Sequence, residues 1–493
     1  TAVSGCGNSG SSSADSQSGS SATSENSAST EDTASTDGEV PTISLMVVCG
    51  TTPPDADAVA EKLSEITREK IGCNVEFITM EIGNVAQQLN LLLSGGDDTL
   101  DVFMAGISVP YSTIVNNGQA LSLDTLMEPY AEEVKTALGE KVYESGRVNG
   151  ELYGIGRLLD QASTTCYNLR RDIAEEFGYK NGDKVDLAEL TELFGKVREK
   201  YPDTPLIGPM NGVPSIGDSR IDSLGNKLGV LDNYGQDTTV TNYYESAGYE
   251  ELVGYFKQWK EMGCYMADIL NVTDAPIDYI PSGKAFGCFA SHFSAEMNGI
   301  WSSQNFGTDI ASLQIYEDAV AITPGAYECI NPATKNPEAA AALIYLMATD
   351  PDVLLINGIE GQHYQVLEDN TATYVDGKDI STTGWCLGYS WTALNSTISI
   401  PFEYPADYYD RMLAANKNAQ QSKAFGCQFD LTGVSDAVSA CTNVVNQYEN
   451  ALSGGAVEDF DATLAQFQQG LRDAGIDEIV AAKQEQLDAF LAG

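Results

Sequence analysis

Between Ile43 and Ala105 the sequence repeats one unit, an apolar run followed by an apolar stripe at helical spacing. Ile43 to Val48 reads as a buried strand, and Pro53-Pro54-Asp55 opens a helix whose Val59, Leu63 and Ile66 share one face until Gly72. Val75 to Thr79 is a second strand. Val85, Leu89 and Leu92 mark a second helix, stopped at Gly95-Gly96, and Asp101 to Ala105 is a third strand. Such a β-α-β-α-β start predicts a mostly parallel open sheet with right-handed crossovers. Ligands of such sheets bind beyond the carboxyl ends of the strands, here at Gly50 to Thr52 and Gly106 to Tyr111.

A second constraint lies at Asn149 to Asn168, NGELYGIGRLLDQASTTCYN. Gly150, Gly154 and Gly156, with the patch Ser163 to Thr165, interrupt two hydrophobic pieces. The pattern fits a hinge crossover between two packed bodies, and it also fits a β-hairpin lying on one of them. Since 493 residues exceed what one core usually holds, and each flank carries alternating β/α signals, the crossover is the expectation. A ligand would then lie between the lobes.

Net charge is −45 and the apolar share 43%. A surface so acidic repels phosphate backbones and anionic headgroups, which excludes nucleic acid as a partner. The ten cysteines contain no C-x-x-C, and the two histidines, His292 and His363, lie far apart. No metal or other cofactor is implied, and the cysteines of the body are expected mostly as small buried apolar residues. Residues 1–40 hold six acids and no Lys or Arg. Val3-Ser4-Gly5-Cys6 resembles a bacterial lipobox, so residues 1–5 are expected as a signal-peptide remnant, Cys6 as the lipidated residue, and residues 6–40 as a disordered tether. With no basic residues in that tether, lipid chains rather than charge would hold it at a membrane.

Leu187 to Lys200 and Glu250 to Met262 read as helices, with Trp259 on the apolar stripe of the second and therefore in the core. Pro205 to Asp218 reads as a surface loop. Pro281 to Phe289 is a turn feeding a strand. Asn336-Pro337-Glu338 starts a helix running through Met347, Asp350-Pro351 restarts another, and the chain from Phe402 onward is helical packing with Leu464, Phe467, Leu471, Ile479, Leu487 and Phe490.

Taken in order, N-G-E-L-Y-G at Asn149, Y-N at Tyr167 with Asp172, S-G-K-A-F at Ser282 and N-P-E-A-A at Asn336 resemble motifs of the extracellular solute-binding proteins of ABC sugar importers, the family that includes maltose-binding protein. From Asn331 onward, G-I-E-G-Q-H-Y at Gly358, S-K-A-F-G-C-Q-F-D at Ser422 and A-G-I-D-E-I at Ala474 resemble a Gram-positive lipoprotein subfamily with a DUF3502-like C-terminal domain of unknown function. The resemblance implies an α/β fold of the two-lobe, periplasmic-binding-protein type (type II). Each lobe would be an open, mostly parallel sheet flanked by helices, with hinge crossovers between lobes and a helical C-terminal region. The lobes are expected at 41–160 plus about 320–365, and at 161–319 plus about 366–493.

It further implies a monomeric, exported lipoprotein on the outer face of the cytoplasmic membrane that captures an oligosaccharide and presents it to permease subunits. Ligand contacts carried over fall on Thr51, Thr52, Tyr111, Gln161, His292 and Phe293, and on an aromatic at Trp385 or Trp391. Where Gln161 stands the family often has an acid, with Asp160 beside it here, and a Trp is common where Phe293 stands.

A neutral sugar needs paired donors and acceptors for its hydroxyls and flat partners for its C–H faces. The segment Gly384 to Trp391 supplies Trp385, Tyr389 and Trp391 between glycines and small polar residues, as a binding loop would. Trp301, Tyr153, Glu360 and Tyr364 are further candidates, each also readable as packing, hinge support or helix capping. The competing class is a glycoside hydrolase or lyase using paired carboxylates, to which 71 acids give no specific support; a third is the same fold binding a peptide or another solute. No covalent step is expected of the chain.

Overall fold

The strand–helix alternation folds as the pattern predicts. In the computed structural model, which describes residues 40–492 except 50, 95–99, 108, 211–215, 354–357 and 386–393, β1 (Thr42–Cys49), α1 (Ala56–Ile71), β2 (Asn74–Glu81), α2 (Val85–Ser94) and β3 (Val102–Ala105) follow one another. The expectations for Cys6, its tether and Trp391 concern residues outside these. Strand β1 is sandwiched: Ile43, Leu45 and Val47 pack with Val59 and Leu63 of α1 on one face. Met46 and Val48 pack with Val85 and Leu89 of α2 on the other. Burial on both faces is what a near-continuous apolar strand demands.

The stretch at 149–168 combines both readings of it. β4 (Arg147–Val148) and β5 (Glu151–Leu152) form a two-stranded hairpin, with Asn149 and Gly150 at φ 53° and 87° in its turn. Then β6 (Gly154–Gly156) joins the first sheet, and after residues 157–161 the chain enters the second sheet as β7 (Ala162–Arg170).

Both sheets are mixed rather than mostly parallel. The first has the order β2-β1-β3-β11-β6, where β11 (Tyr327–Ile330) runs antiparallel to β3 and β6. In the second, β7 is antiparallel to β8 (Gly287–His292), β9 (Ile310–Gln314) and β10 (Val320–Ala321). Parallel order follows only where successive strands of one sheet are joined by helical crossovers. The strand that returns from the other sheet, β11, enters the first in the opposite sense, between β3 and β6.

Helices cover the second sheet. Within α3 (Leu187–Lys200) and α4 (Ala247–Glu261) the apolar stripes are buried. Trp259 is fully buried on α4, stacks on Phe289 and donates its indole N–H to Thr191 Oγ1 at 2.9 Å, as core packing requires. Three C-terminal helices, α8 (Ser435–Ser453), α9 (Phe460–Asp473) and α10 (Ile476–Ala492), follow two that lie nearer the middle of the chain, α6 (Pro337–Thr349) and α7 (Tyr408–Asn418). Phe467, Leu471 and Ile479 join the second sheet's core, whereas Phe490 stays on the surface. Cys49, Cys73, Cys166, Cys264, Cys288, Cys329, Cys427 and Cys441 are free and buried.

Four backbone segments lie side by side where the two sheets meet. Leu158 exchanges hydrogen bonds with Leu394 and Ser396, Arg157 N donates to Ala326 O, and Ile322 N donates to Gln161 O. On the far side, Gln420 N and Ser422 N donate to Ala319 O and Ala321 O. The lateral order is therefore 394–396, 157–161, 320–326 and 420–424.

Asp55 shows how a turn is bound to distant chain. Although it stands at the N-cap of α1, its carboxylate makes no cap hydrogen bond. Instead it accepts from Gln362 Nε2 at 3.0 Å, from His363 Nε2 at 2.5 Å and from Trp385 Nε1 at 3.1 Å. Gly384, at φ 71°, lets this segment close on Pro53, whose Cα would lie 2.7 Å from an added Cβ. Trp385 is 3% exposed and packs in the first sheet's core with Phe77 edge-on. Replacing it by Ala should cost about 3–5 kcal/mol of stability, read as a lowered denaturant midpoint.

Candidate functional site

A cavity of about 270 Å³ opens beside the crossover at Leu159 and Asp160. Strand β8 ends there, presenting Ala290, Ser291 and His292 to it. Next comes α5 (Ala295–Asn305), capped by Ser294 Oγ accepting from Met297 N, with Asn298 and Trp301 lining the cavity. The remaining wall is Met210 and chain 396–412: Ser396, Ser399, Tyr404, Tyr408, Tyr409 and Met412. Helix α7 is docked on the crossover by Asn416, whose Oδ1 accepts from Gln161 N and Ala162 N, each at 2.9 Å, and whose Nδ2 donates to Leu159 O at 2.8 Å. One amide side chain thus fixes the wall to the crossover backbone.

The lining has two characters. Tyr404 and Tyr408 stack with ring centroids 4.0 Å apart, Tyr409 meets Tyr408 edge-on, and Trp301 lies edge-on to Phe306. Such rings offer flat apolar area with polar rims. Against them stand Asp160 and His292. Burial pushes the Asp160 carboxyl up to about 6, against the pull of its own backbone and of Arg157. The same cause pushes the His292 ring down to about 4, so it is neutral at neutral pH. Its Nδ1 accepts from Ser294 N at 3.3 Å, which puts the proton on Nε2 as a donor. Asn298 is committed inward, its Nδ2 donating to Asn168 Oδ1 at 2.7 Å and Ser312 Oγ at 2.8 Å.

Of the residues expected from sequence, Asp160, His292 and Trp301 come together here. Phe293 is buried beside them against Met297, Met412 and the edge of Tyr408. Gln161 is 9% exposed and reaches back to Arg157 O. Thr51 and Thr52 are exposed at the first sheet's edge, with Thr52 donating to Glu81. Tyr111 is buried, donates to Gly146 O and stacks on Tyr327. Tyr153 donates to Glu151, so it braces the hairpin. Glu360 and Tyr364 flank the pair Tyr364–Val366 and Ala372–Tyr374, away from the cavity. Trp385 is core, as described above, because an indole between glycines can equally plug a turn.

Sequence reasoning passed over Tyr404, Tyr408 and Tyr409. The run Y-P-A-D-Y-Y-D carries three rings within six positions around a proline, and that density was the available signal. Trp385 does serve this wall at a distance: Tyr374 donates its hydroxyl to Trp385 O at 2.9 Å and packs edge-on to Phe402, two residues before Tyr404. Among the described residues there is no cluster of His, Cys, Asp or Glu able to hold a metal ion.

Two mixed sheets joined by laterally bonded crossovers, with the cavity beside the crossovers, define the fold of type II solute-binding proteins. The chain is similar along most of its length to known members of that class. Residues 423–492 match the family model described as a domain of unknown function, DUF3502. A carbohydrate ABC transporter substrate-binding protein of Streptococcus pneumoniae is 23% identical over 470 residues, 92% of each chain. Among solved structures, the N-glycan transport solute binding protein NgtS of Streptococcus pneumoniae superposes with TM-score 0.77 at 20% identity, covering 92% of this chain and 99% of that one. An HMO-binding, ABC-transporter-associated solute binding protein of Bifidobacterium longum infantis gives 0.62 at 15%, with 92% and 99% covered. These relatives are transport binding proteins rather than enzymes.

The two shifted groups act on stability in opposite directions. Asp160 binds its proton more tightly folded than unfolded, so its ionisation opposes folding increasingly from about pH 4 and fully above about 6. His292 opposes folding as pH falls from 6.5 through about 4. Asp160→Asn should therefore raise unfolding free energy at pH 7 by roughly 2–3 kcal/mol and leave it nearly unchanged at pH 4. Urea unfolding at the two pH values checks this.

Proposed function

We propose that this chain is the extracellular substrate-binding component of an ABC importer and that it captures a neutral oligosaccharide in the cavity beside Asp160. The observation that carries the reading is the pairing, within one cavity, of the Tyr404/Tyr408 stack and Trp301 with the Asp160 carboxyl and the neutral His292 ring. Sugar C–H faces lie on the rings, and hydroxyls donate to Asp160 and accept from His292 Nε2–H. The solved NgtS structures with Man1GlcNAc and Man5GlcNAc support a ligand of this class.

Asp160 is the one carboxylate lining the cavity among the described residues, whereas glycoside hydrolysis needs two flanking the bond. Binding rather than hydrolysis therefore fits the site. The lobes, at 41–160 plus about 320–365 and 161–319 plus about 366–493, close about the crossovers. A ligand touching both shifts the open/closed equilibrium by its differential affinity, and the closed form is what permease subunits recognise. Thr51 and Thr52 belong to the first lobe's rim and join the contacts on closure. Cys6, as the lipidated residue of a tether with no basic side chains, holds the receptor at the outer face of the cytoplasmic membrane of a Gram-positive cell.

A calorimetric or thermal-shift screen against oligosaccharides identifies a ligand by the stabilisation it confers through mass action. With that ligand, Tyr404→Ala should weaken binding by about 1.5–3 kcal/mol, roughly tenfold to a hundredfold. Tyr404→Phe, which keeps the ring, should lose far less. Equal affinity in Tyr404→Ala and the parent would remove the stack from the site and sink the reading.

A further inference from the structure

A second cavity, of about 440 Å³, lies at the opposite edge of the four-segment junction and shares no lining residue with the first. Packed interiors leave few voids larger than a water molecule, and this volume falls within the range of ligand pockets. Its walls come from four parts of the chain. Gly106 and Pro110 to Ser112 approach from the first sheet, residues 222–226 from the second, residues 322–325 from the crossover, and Ala424 and Cys427 to Phe429 from the segment that opens the match to the domain of unknown function. Gly106, at φ 102°, touches the crossover so closely that an added Cβ would sit 2.0 Å from Gly325 O.

The loop at 222–226 is held in an unfavourable conformation. Leu224 and Lys227 take φ of 45° and 59°, a left-handed region that costs non-glycine residues about 1–2 kcal/mol each. What holds it is the C-terminal helix: Lys483, fully buried on α10, donates to Leu224 O at 3.0 Å, Asn226 Oδ1 at 2.8 Å and Gly229 O at 3.1 Å. Asp222 Oδ1 also accepts from Leu224 N at 3.0 Å. From the same module Gln428 crosses to the first sheet, donating to Ser145 O and to Tyr327 Oη at 2.7 Å. A strained loop fixed by a buried lysine amine at the rim of a cavity is the kind of preorganisation that binding sites use.

The lining chemistry narrows the ligand. Among its described lining residues Asp222 is the one acid, joined by the amides of Asn226 and Gln428, the hydroxyls of Ser112, Ser223 and Thr323, and the rings of Tyr111, Tyr327 and Phe429. No Lys or Arg is among these described residues, so the cavity is unsuited to phosphate or carboxylate ligands. Amides, hydroxyls and aromatic rings suit a neutral polyol. We propose that the C-terminal module, residues 423–492, builds a second saccharide-binding subsite here, together with the 222–226 loop. It rests on the saccharide reading given above. The module thereby acts as a ligand wall as well as packing.

The test is calorimetric titration of the full chain with neutral oligosaccharides, from disaccharides to pentasaccharides, with Ser223→Trp and Ser112→Trp filling the cavity from opposite walls. Each should lower affinity for at least one saccharide of the series by about tenfold while leaving the melting temperature of the unliganded protein unchanged. Tyr404→Ala serves as the control in the first cavity. If it weakens binding and both tryptophan variants bind every saccharide like the parent, the second subsite is wrong and the first reading stands. If the parent binds none of them, both fall.

Discussion

Backbone hydrogen bonds among the four segments at 394–396, 157–161, 320–326 and 420–424 are what the rest of the molecule depends on. They fix where each sheet begins relative to the other, and both cavities are edges of this junction. Few side chains are needed to hold it, because main-chain donors and acceptors must be paired wherever they are buried. Those that help are amides and hydroxyls. Asn416 ties α7 to Leu159, Gln161 and Ala162, while Thr323 Oγ1 accepts from Gly426 N and donates to Ala424 O.

The first cavity holds groups that are costly to bury. Its carboxyl is shifted up and its imidazole down, both by burial. Under the proposed function, hydroxyls that satisfy these groups would offset that cost, so affinity and fold stability would draw on the same residues. Between about pH 4 and 6.5 the contributions of these two groups to stability oppose each other.

Much of the first sheet was legible because β1 and β3 are buried on both faces and each helix between the strands carries one apolar stripe. Val59 and Leu63 could only be core, and so could Trp259. In the site, His292 was legible through the family pattern, Asp160 as the acid beside Gln161, and Trp301 as an aromatic in a small-residue context; all three line the cavity. Trp385 was misleading because glycines beside an aromatic mark either a binding loop or a close turn, and only the approach of Gly384 to Pro53 decides between them. Tyr404, Tyr408 and Tyr409 escaped notice because they sit at a helix start, where rings usually pack.

By itself the sequence determined the period of each element, the burial of its stripes, the acidic surface and the existence of a crossover near residue 157. Those are local or additive properties, readable from spacing and composition. Tertiary structure alone decided the antiparallel entry of β11 into the first sheet, the use of Asp55 as an acceptor for His363 and Trp385, and the meeting of Tyr404 with Asp160 across more than 200 residues of chain. Contacts of that separation leave no trace in local spacing, because the chain between them can be of any composition provided it returns.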